Sequence, residues 1–371
     1  MRKLRILHIV PDLAVGGGVQ SIILNWYRNI DRSKVQFDFI TIGENNGLTY
    51  IDEIIYLGGK VYYSNFDRII NYKKFSKDLS SVIGNNSNYS GIHCHISFKN
   101  FVALYVAKKN KIPIRISHSH EAAINLQNNI FSKIKKSILK LVIYIVSSHQ
   151  VGCSNIANKY LHLNCKKNII LLNALDYSVY NSSNVYFDEI HLLRKKVLLA
   201  QVGRLEEVKN HEFTLYVLKE LIERKIDAHL IINGEGKRKE YIVKRSKVIG
   251  CYNNITFIPF IKEVNKIYNS VDIVLIPSFH EAFSMVAIEA QASNRLCFAS
   301  NNVPIETDFN LGLIQYLSLE KGPAYWAEKI IESLTEKIKI NKINYNSKFE
   351  VKNIVEKLTH IYNLEDNAHE E

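Results

Sequence analysis

Apolar positions in the first half of the chain alternate between short continuous runs and stripes with helical spacing. Leu4 to Val10 reads as a buried strand, Gly16-Gly17-Gly18 as a turn and Val19 to Arg28 as an amphipathic helix. Strand-like Phe37 to Ile42, Val61 to Tyr63, Gly91 to Ile96 and Ile114 to Ser117 follow, with helices over Tyr72 to Ile83 and Phe101 to Lys109 between them. This order predicts a parallel sheet covered by helices on both faces.

The pattern restarts after Asn173-Ala174-Leu175-Asp176 and a polar stretch to Asn184. Val197 to Val202, His229 to Ile232, Ile255 to Ile258, Ile273 to Ile276 and Leu296 to Ala299 read as strands. Helices fall near Glu212 to Arg224, Glu263 to Asn269 and Ser284 to Ala292. The expected fold class is α/β, with two Rossmann-like doubly wound domains facing a central cleft, since open α/β sheets bind ligands outside the carboxyl ends of their strands. The expected boundaries are 1–173, 174–348 and a terminal segment 349–371, whose helix is expected to pack across domains.

Of the 371 residues, 47% are hydrophobic and 23% charged, enough to bury a sizeable core. No apolar run reaches the roughly 18 to 20 residues of a membrane span; Ile138 to Val146 is short and contains Lys140. Pro11 and Asp12 cut the apolar start too early for a signal peptide, so a cytoplasmic protein is expected. Five cysteines, none in a C-x-x-C pair, support neither a disulfide framework nor a structural zinc site. The charge is uneven: residues 1–173 hold 23 Lys+Arg against 9 Asp+Glu, a net +14, while 174–371 are close to neutral. Such a half attracts polyanions or anionic membranes. Its lysines are scattered over helix-like stretches and match no nucleic-acid-binding signature, so nucleic acid is not an expected partner.

Candidate chemistry begins at the glycine turn, where Gly16 and Gly17 let backbone N–H groups approach an anion or a sugar; an ordinary tight turn explains them as well. His93/His95 and His118/His120 are His-x-His pairs at strand ends, each pointing to one face. No carboxylate joins them at ligand spacing, so no metal is assigned, and at least one is expected to bond a substrate hydroxyl. Arg204 and Lys209 flank a strand-to-helix loop and can converge on a diphosphate, or pair with Glu206 and Glu207 in solvent. In Ile276-Pro277-Ser278-Phe279-His280-Glu281-Ala282-Phe283-Ser284-Met285-Val286-Ala287-Ile288-Glu289, a loop glutamate precedes a helix that carries a second one eight positions later. Glu289 sits among apolar residues and needs a partner, which a ribose diol or an internal salt bridge can supply. Phe283, Ser284 and Met285 would present helix N-terminal donors to phosphate.

Taken in order, the glycine turn followed by Gln20, His118-Ser119-His120, Asn173-Ala174-Leu175-Asp176, Gly203-Arg204 with Lys209-Asn210-His211, Asn233-Gly234-Glu235-Gly236, Asp272 to Ser278 and the Glu281/Glu289 pair resemble glycosyltransferase family 4. These are retaining sugar-nucleotide transferases of GT-B fold, and the likeness is to the exopolysaccharide and capsule-synthesis members. It implies that 1–173 binds the acceptor and 174–348 the nucleotide-sugar donor. It also implies that Arg204 and Lys209 neutralise the donor diphosphate, Glu281 holds the donor sugar, Glu289 holds the ribose, and a cleft histidine falls at His118 or His120. Gly16 and Gly17 would approach the donor phosphate or the acceptor. Three departures stand out: Ala282 and Asn294 replace glycines of the family pattern, and Ala174 another.

The implied reaction moves a hexose or N-acetylhexosamine from a nucleotide sugar, expected to be a UDP-sugar, to a lipid-linked surface glycan, without cofactor or metal. The alternative is an inactive sugar-nucleotide-binding subunit that supports a partner transferase. The basic first half and the segment Ser132 to Ile143, with Lys133, Lys135, Lys136 and Lys140 beside Ile134, Ile138 and Leu141, are expected to rest on an anionic membrane surface at the inner face of the cell membrane. Ordinary packing of those three apolar residues into a core is the competing expectation.

Overall fold

A computed structural model describes residues 3–43, 47–64, 71–85, 88–122, 130–163, 168–180, 186–187, 190, 193, 195–335 and 347–363. The chain divides into two compact units, residues 1–174 together with 347–371, and residues 175–346.

In the first unit the elements run β1 (Leu4–Val10), α1 (Gly18–Asn29), β2 (Val35–Thr41), α2 (Ile51–Tyr56), β3 (Val61–Tyr63), α3 (Tyr72–Asn85), β4 (Gly91–Cys94), α4 (Asn100–Lys109), β5 (Ile114–Ser119), α5 (Ile130–Val146), β6 (His149–Gly152), α6 (Asn155–Leu161) and β7 (Asn168–Ile170). The strands form a seven-stranded sheet in the order β3-β2-β1-β4-β5-β6-β7, parallel throughout. Every residue of β2 is buried, as a central parallel strand requires. That includes Asp38, whose carboxylate is satisfied by Arg5 Nε at 2.6 Å, the Tyr89 hydroxyl at 2.7 Å and the Lys60 amide at 2.9 Å.

The second unit runs α7 (Tyr177–Tyr180), β8 (Val197–Val202), α8 (His211–Glu223), β9 (Ala228–Asn233), α9 (Lys239–Ile249), β10 (Ile255–Ile258), α10 (Asn265–Ser270), β11 (Ile273–Ile276), α11 (Met285–Ala292), β12 (Leu296–Ser300), β13 (Ile314–Leu317) and α12 (Gly322–Thr335). Its parallel sheet has the order β10-β9-β8-β11-β12-β13. Leu230, Ile232, Leu275 and Phe298 pack with α8 and α12 on one face, while Ile231, Val274 and Ala299 pack with α10 and α11 on the other.

The closing helix α13 (Val351–Asn363) returns to the first unit and packs on α1, with Leu358 and Tyr362 buried. In each sheet the strand order reverses beside the first strand, at β1/β4 and at β8/β11. Loops leaving those strands at their carboxyl ends diverge to opposite faces, and the crevice they leave is where side chains can meet a ligand.

Candidate functional site

In the second unit the reversal point collects the loops after β8, β9 and β11. Gly203 and Gly234 have φ of 136° and 140°, and a Cβ at Gly234 would lie 2.1 Å from the Gly203 carbonyl oxygen. The two loops therefore meet backbone to backbone, which only glycine permits. Gly203 N–H donates to Asn233 O and Leu205 N–H to Glu235 O, fixing the approach. Arg204, between them, is exposed, and its guanidinium makes no hydrogen bond or ion pair among the described residues.

Lys209 follows in a 3-10 turn whose carbonyl accepts from Gln201 Nε2 at 2.6 Å. Its Nζ lies 2.7 Å from Glu281 Oε1, and Ser278 Oγ donates to the same oxygen at 2.8 Å. The Phe279 amide donates to Val208 O, joining the β11 loop to that turn. Ser284 caps α11 by accepting from the Ala287 amide, and Phe283 is buried against its start. The remaining first-turn amides, beginning at Met285, have no acceptor inside the helix, so the positive end of α11 opens beside Glu281 in the chain.

Glu289 lies one turn before the end of α11 and is largely buried, without a basic partner in contact among the described residues. Tyr268 OH donates to its Oε2 at 2.8 Å, and Tyr180 from α7 also donates to it. Burial pushes the Glu289 carboxyl above its ordinary value, while the two tyrosines and Lys209 pull it back. Burial and the carboxylate hold both tyrosines well above the ordinary phenol value, so they stay protonated donors. A salt bridge is thus replaced by a pair of phenols. Ala282 does not have positive φ, so its position needs no glycine, whereas Asn294 does, at φ 60°, just beyond α11. Asparagine is among the few residues that tolerate this left-handed geometry.

In the first unit Gly16 has φ 94° and Gly17 is the residue before α1. Asp12 Oδ1 accepts from Gln20 Nε2 at 2.6 Å and from the Ala14 amide at 2.9 Å, bracing this turn. The histidines form a larger group than the two pairs: His8 from β1 joins His93, His95, His118 and His120. His93 Nδ1 meets the Tyr362 hydroxyl at 2.8 Å and its Nε2 meets His118 Nδ1 at 3.0 Å. His95 Nε2 lies 3.1 Å from His8 Nδ1, and its Nδ1 2.9 Å from His120 Nε2. Trp26 stacks over His118 with ring centroids 5.7 Å apart. His118 is fully buried; His120 alone of the two retains some exposure. Burial pushes His8 and His120 down to about 3 and the other three well below the ordinary value, so all five rings are neutral at pH 7.

The sequence pattern brought out Lys209, Glu281, Ser284 and Glu289, and the fold gathers them around α11. It did not bring out Tyr180, Tyr268, His8 or Tyr362. The tyrosines carry no spacing signal, and His8 sits inside an apolar run that reads simply as a strand.

The family described as glycosyl transferases group 1 matches residues 183–349. EpsF of Bacillus subtilis, which carries a glycosyltransferase name, is 28% identical over 335 residues, 88% of this chain and 86% of its own. The capsular polysaccharide biosynthesis glycosyltransferase CapH of Staphylococcus aureus is 24% identical over 378 residues, 97% of this chain and 98% of its own. Among solved structures, Anabaena HepE in complex with UDP and glucose superposes with a TM-score of 0.76 at 14% identity, covering 96% of this chain and 98% of that one.

Proposed function

We propose, from the match of residues 183–349 to the glycosyl transferases of group 1, the likeness to EpsF and CapH and the GT-B fold, that the chain moves a hexose or N-acetylhexosamine from a UDP-sugar to a growing, lipid-linked surface glycan, with retention at the anomeric carbon as in family 4. The observation that carries this reading is the meeting of Lys209, Glu281 and Ser278 beside the exposed Arg204. The capsular role in the name of CapH supports a surface glycan, and the UDP in the HepE complex supports a uridine donor.

As the bond from the anomeric carbon to the diphosphate breaks, negative charge grows on the leaving oxygen. Arg204, Lys209 and the first amides of α11, around Phe283 to Met285, stabilise it in place, and prearranged donors of this kind need no reorganisation. Lys209 exchanges Glu281 for phosphate, which frees the Glu281 carboxylate for a sugar hydroxyl. Glu289 exchanges a tyrosine donor for the ribose diol. The acceptor hydroxyl bonds to the anomeric carbon from the face the diphosphate leaves, and its proton passes to the departing phosphate. In the first unit the glycine turn and the partly exposed His120 bind the acceptor, His120 by a hydrogen bond to a hydroxyl. These cations take the part of a divalent ion at the diphosphate, so transfer runs equally with and without added magnesium or manganese.

The first unit also carries a membrane-facing surface in this reading. Ile130, Ile134, Ile138, Leu141 and Ile145 lie on one stripe of α5, each about half exposed or more, and Phe131 is 77% exposed. No helix among the described residues is long and apolar enough to cross a membrane. A half-exposed apolar stripe among four lysines instead favours lying on an anionic leaflet, where a lipid-linked acceptor is presented.

The full chain, screened with UDP-, GDP- and ADP-sugars, tests the reaction. A UDP-sugar is expected to raise the melting temperature and to be consumed with release of UDP, giving product of retained configuration by NMR. Binding without turnover makes the chain a supporting subunit, and no binding of any nucleotide sugar overturns the reading.

A further inference from the structure

The five histidines at the carboxyl ends of β1, β4 and β5 exceed what the proposed reaction uses. Neutral imidazole has one N–H and one lone pair, so each ring can donate once and accept once. The row His8, His95, His120 contains two ring-to-ring contacts, which leaves one nitrogen at each end over; these are His8 Nε2 and His120 Nδ1, both buried and without a partner among the described residues. The row Tyr362, His93, His118 likewise ends at His118 Nε2, buried and without a partner. Buried polar nitrogens are rarely left so, and three in one cluster mark a demand that the described residues do not meet.

Two sets of three present ring nitrogens all within 4.8 Å of one another: His8, His93 and His95, and His95, His118 and His120. In the first set every ring is fully enclosed, and both nitrogens of His93 and of His95 are already engaged. The second set contains two of the unpartnered nitrogens and reaches the surface at His120, which supplies an entry path.

We propose that His95, His118 and His120 form a binding site for a borderline divalent transition-metal ion, of which Zn2+ is the type. Imidazole-only ligand sets suit zinc, copper and nickel, while magnesium and calcium require oxygen. His118 binds through Nε2, and its Nδ1–H is then donated to His93 Nε2, whose own Nδ1–H is donated to the Tyr362 oxygen. His95 binds through Nδ1 and donates its Nε2–H to His8 Nδ1. The proton between His95 Nδ1 and His120 Nε2, now 2.9 Å apart, moves to His120 Nδ1 and the ion takes its place; tetrahedral coordination at about 2.0–2.1 Å opens that separation only to about 3.3 Å. Metal-bound histidines usually donate their other N–H to an outer partner that fixes the tautomer, and here His8 and His93 already stand in that position. Three neutral ligands leave a fourth position for water on the His120 side.

The test uses the full, tag-free chain after chelator treatment and removal of the chelator, without any nucleotide sugar, so its outcome is independent of the transfer reaction. Titration with Zn2+ is expected to give one ion per chain, and Co2+ in its place to give the intense visible bands of tetrahedral coordination, bleached by Zn2+. His95→Gln and His118→Gln should each weaken binding at least about 10-fold, while His360→Gln, at an exposed histidine of the same unit, should leave it unchanged. Zinc-edge X-ray absorption of the unmodified chain should count three imidazoles, which holds even if a variant fails to fold. Failure to retain Zn2+ through gel filtration, equal binding by His95→Gln, or fewer than three imidazoles at the ion would overturn the site.

Discussion

Lys209 and Glu281 form an ion pair at 2.7 Å in which a single carboxylate oxygen also takes the Ser278 hydroxyl, so Oε1 is fully used and Oε2 accepts no hydrogen bond among the described residues. In the proposed reaction a phosphate displaces the carboxylate from the lysine, and Oε2 takes a sugar hydroxyl.

Glu281→Gln preserves shape while removing charge, and is expected to lower kcat by about 10²–10³-fold, with UDP-sugar affinity changed by less than about 3-fold. Glu289→Gln is expected to do the reverse, weakening donor binding by about 10-fold, or about 1.4 kcal/mol. Steady-state kinetics together with calorimetric binding separate the two. Equal effects of both variants on both constants would refute the division of roles.

Gly234→Ala places a methyl group 2.1 Å from the Gly203 carbonyl oxygen, at a φ of 140° that a side chain rarely adopts. The backbone of one loop must move, so a loss of roughly 2–4 kcal/mol is expected in denaturant unfolding, with donor binding lost alongside it. Gly250→Ala, where a Cβ meets open space, carries only the cost of its left-handed φ and serves as the comparison.

Much of the second unit was legible in sequence because its strands are continuous apolar runs closed by glycine, and because Glu281 and Glu289 are charged residues in otherwise apolar company. The short strands β6, β7 and β13 were not legible, because His149, Gln150, Asn168 and Gln315 break their apolar pattern, whereas β11, equally short, is an unbroken apolar run. Tyr268 and Tyr180 reach Glu289 from 21 and 109 positions away, and Tyr362 reaches His93 from 269. Such contacts are set by how helices pack on the sheet, which spacing does not encode. The stripe on α5 was legible as a pattern but not as a surface, since a buried amphipathic helix has the same periodicity.

His211 opens α8 buried, with neither ring nitrogen partnered among the described residues, and burial together with Lys209 and Arg238 pushes it down to about 3. Its ordinary value is 6.5, so between pH 6.5 and about 3 the unfolded chain binds a proton that the folded chain refuses. Stability is therefore unaffected above pH 6.5 and falls as the pH drops below it, by up to about 1.4 kcal/mol per pH unit for this group. His162, also pushed to about 3, acts in the same direction in the first unit. Unfolding free energies of His211→Gln should fall less steeply than those of the unmodified chain between pH 6.5 and 4, and identical slopes would contradict the assignment.

Liposome co-sedimentation should show binding to anionic vesicles that weakens between low and high salt, with little binding to neutral ones. Each lysine near such a surface is worth about 1 kcal/mol, so replacing Lys133, Lys135 and Lys136 by glutamine should reduce partition by about 10²-fold. Equal binding to neutral and anionic vesicles, or none to either, removes α5 from this role.

The hydroxyl of Tyr362, which ends one row of histidines, belongs to a helix that is made after residues 175–346 although it packs with the unit begun before them. On the ribosome, domains generally fold as units in the order they emerge. Here residues 175–346 leave the exit tunnel before α13 does, so the face of α1 stays uncovered until Val351–Asn363 emerges. Emergence of α13, rather than of the early strands, is thus the event that closes the first unit. A chain cut before Val351 would keep every named element of the second unit and lack the helix that covers α1 in the first.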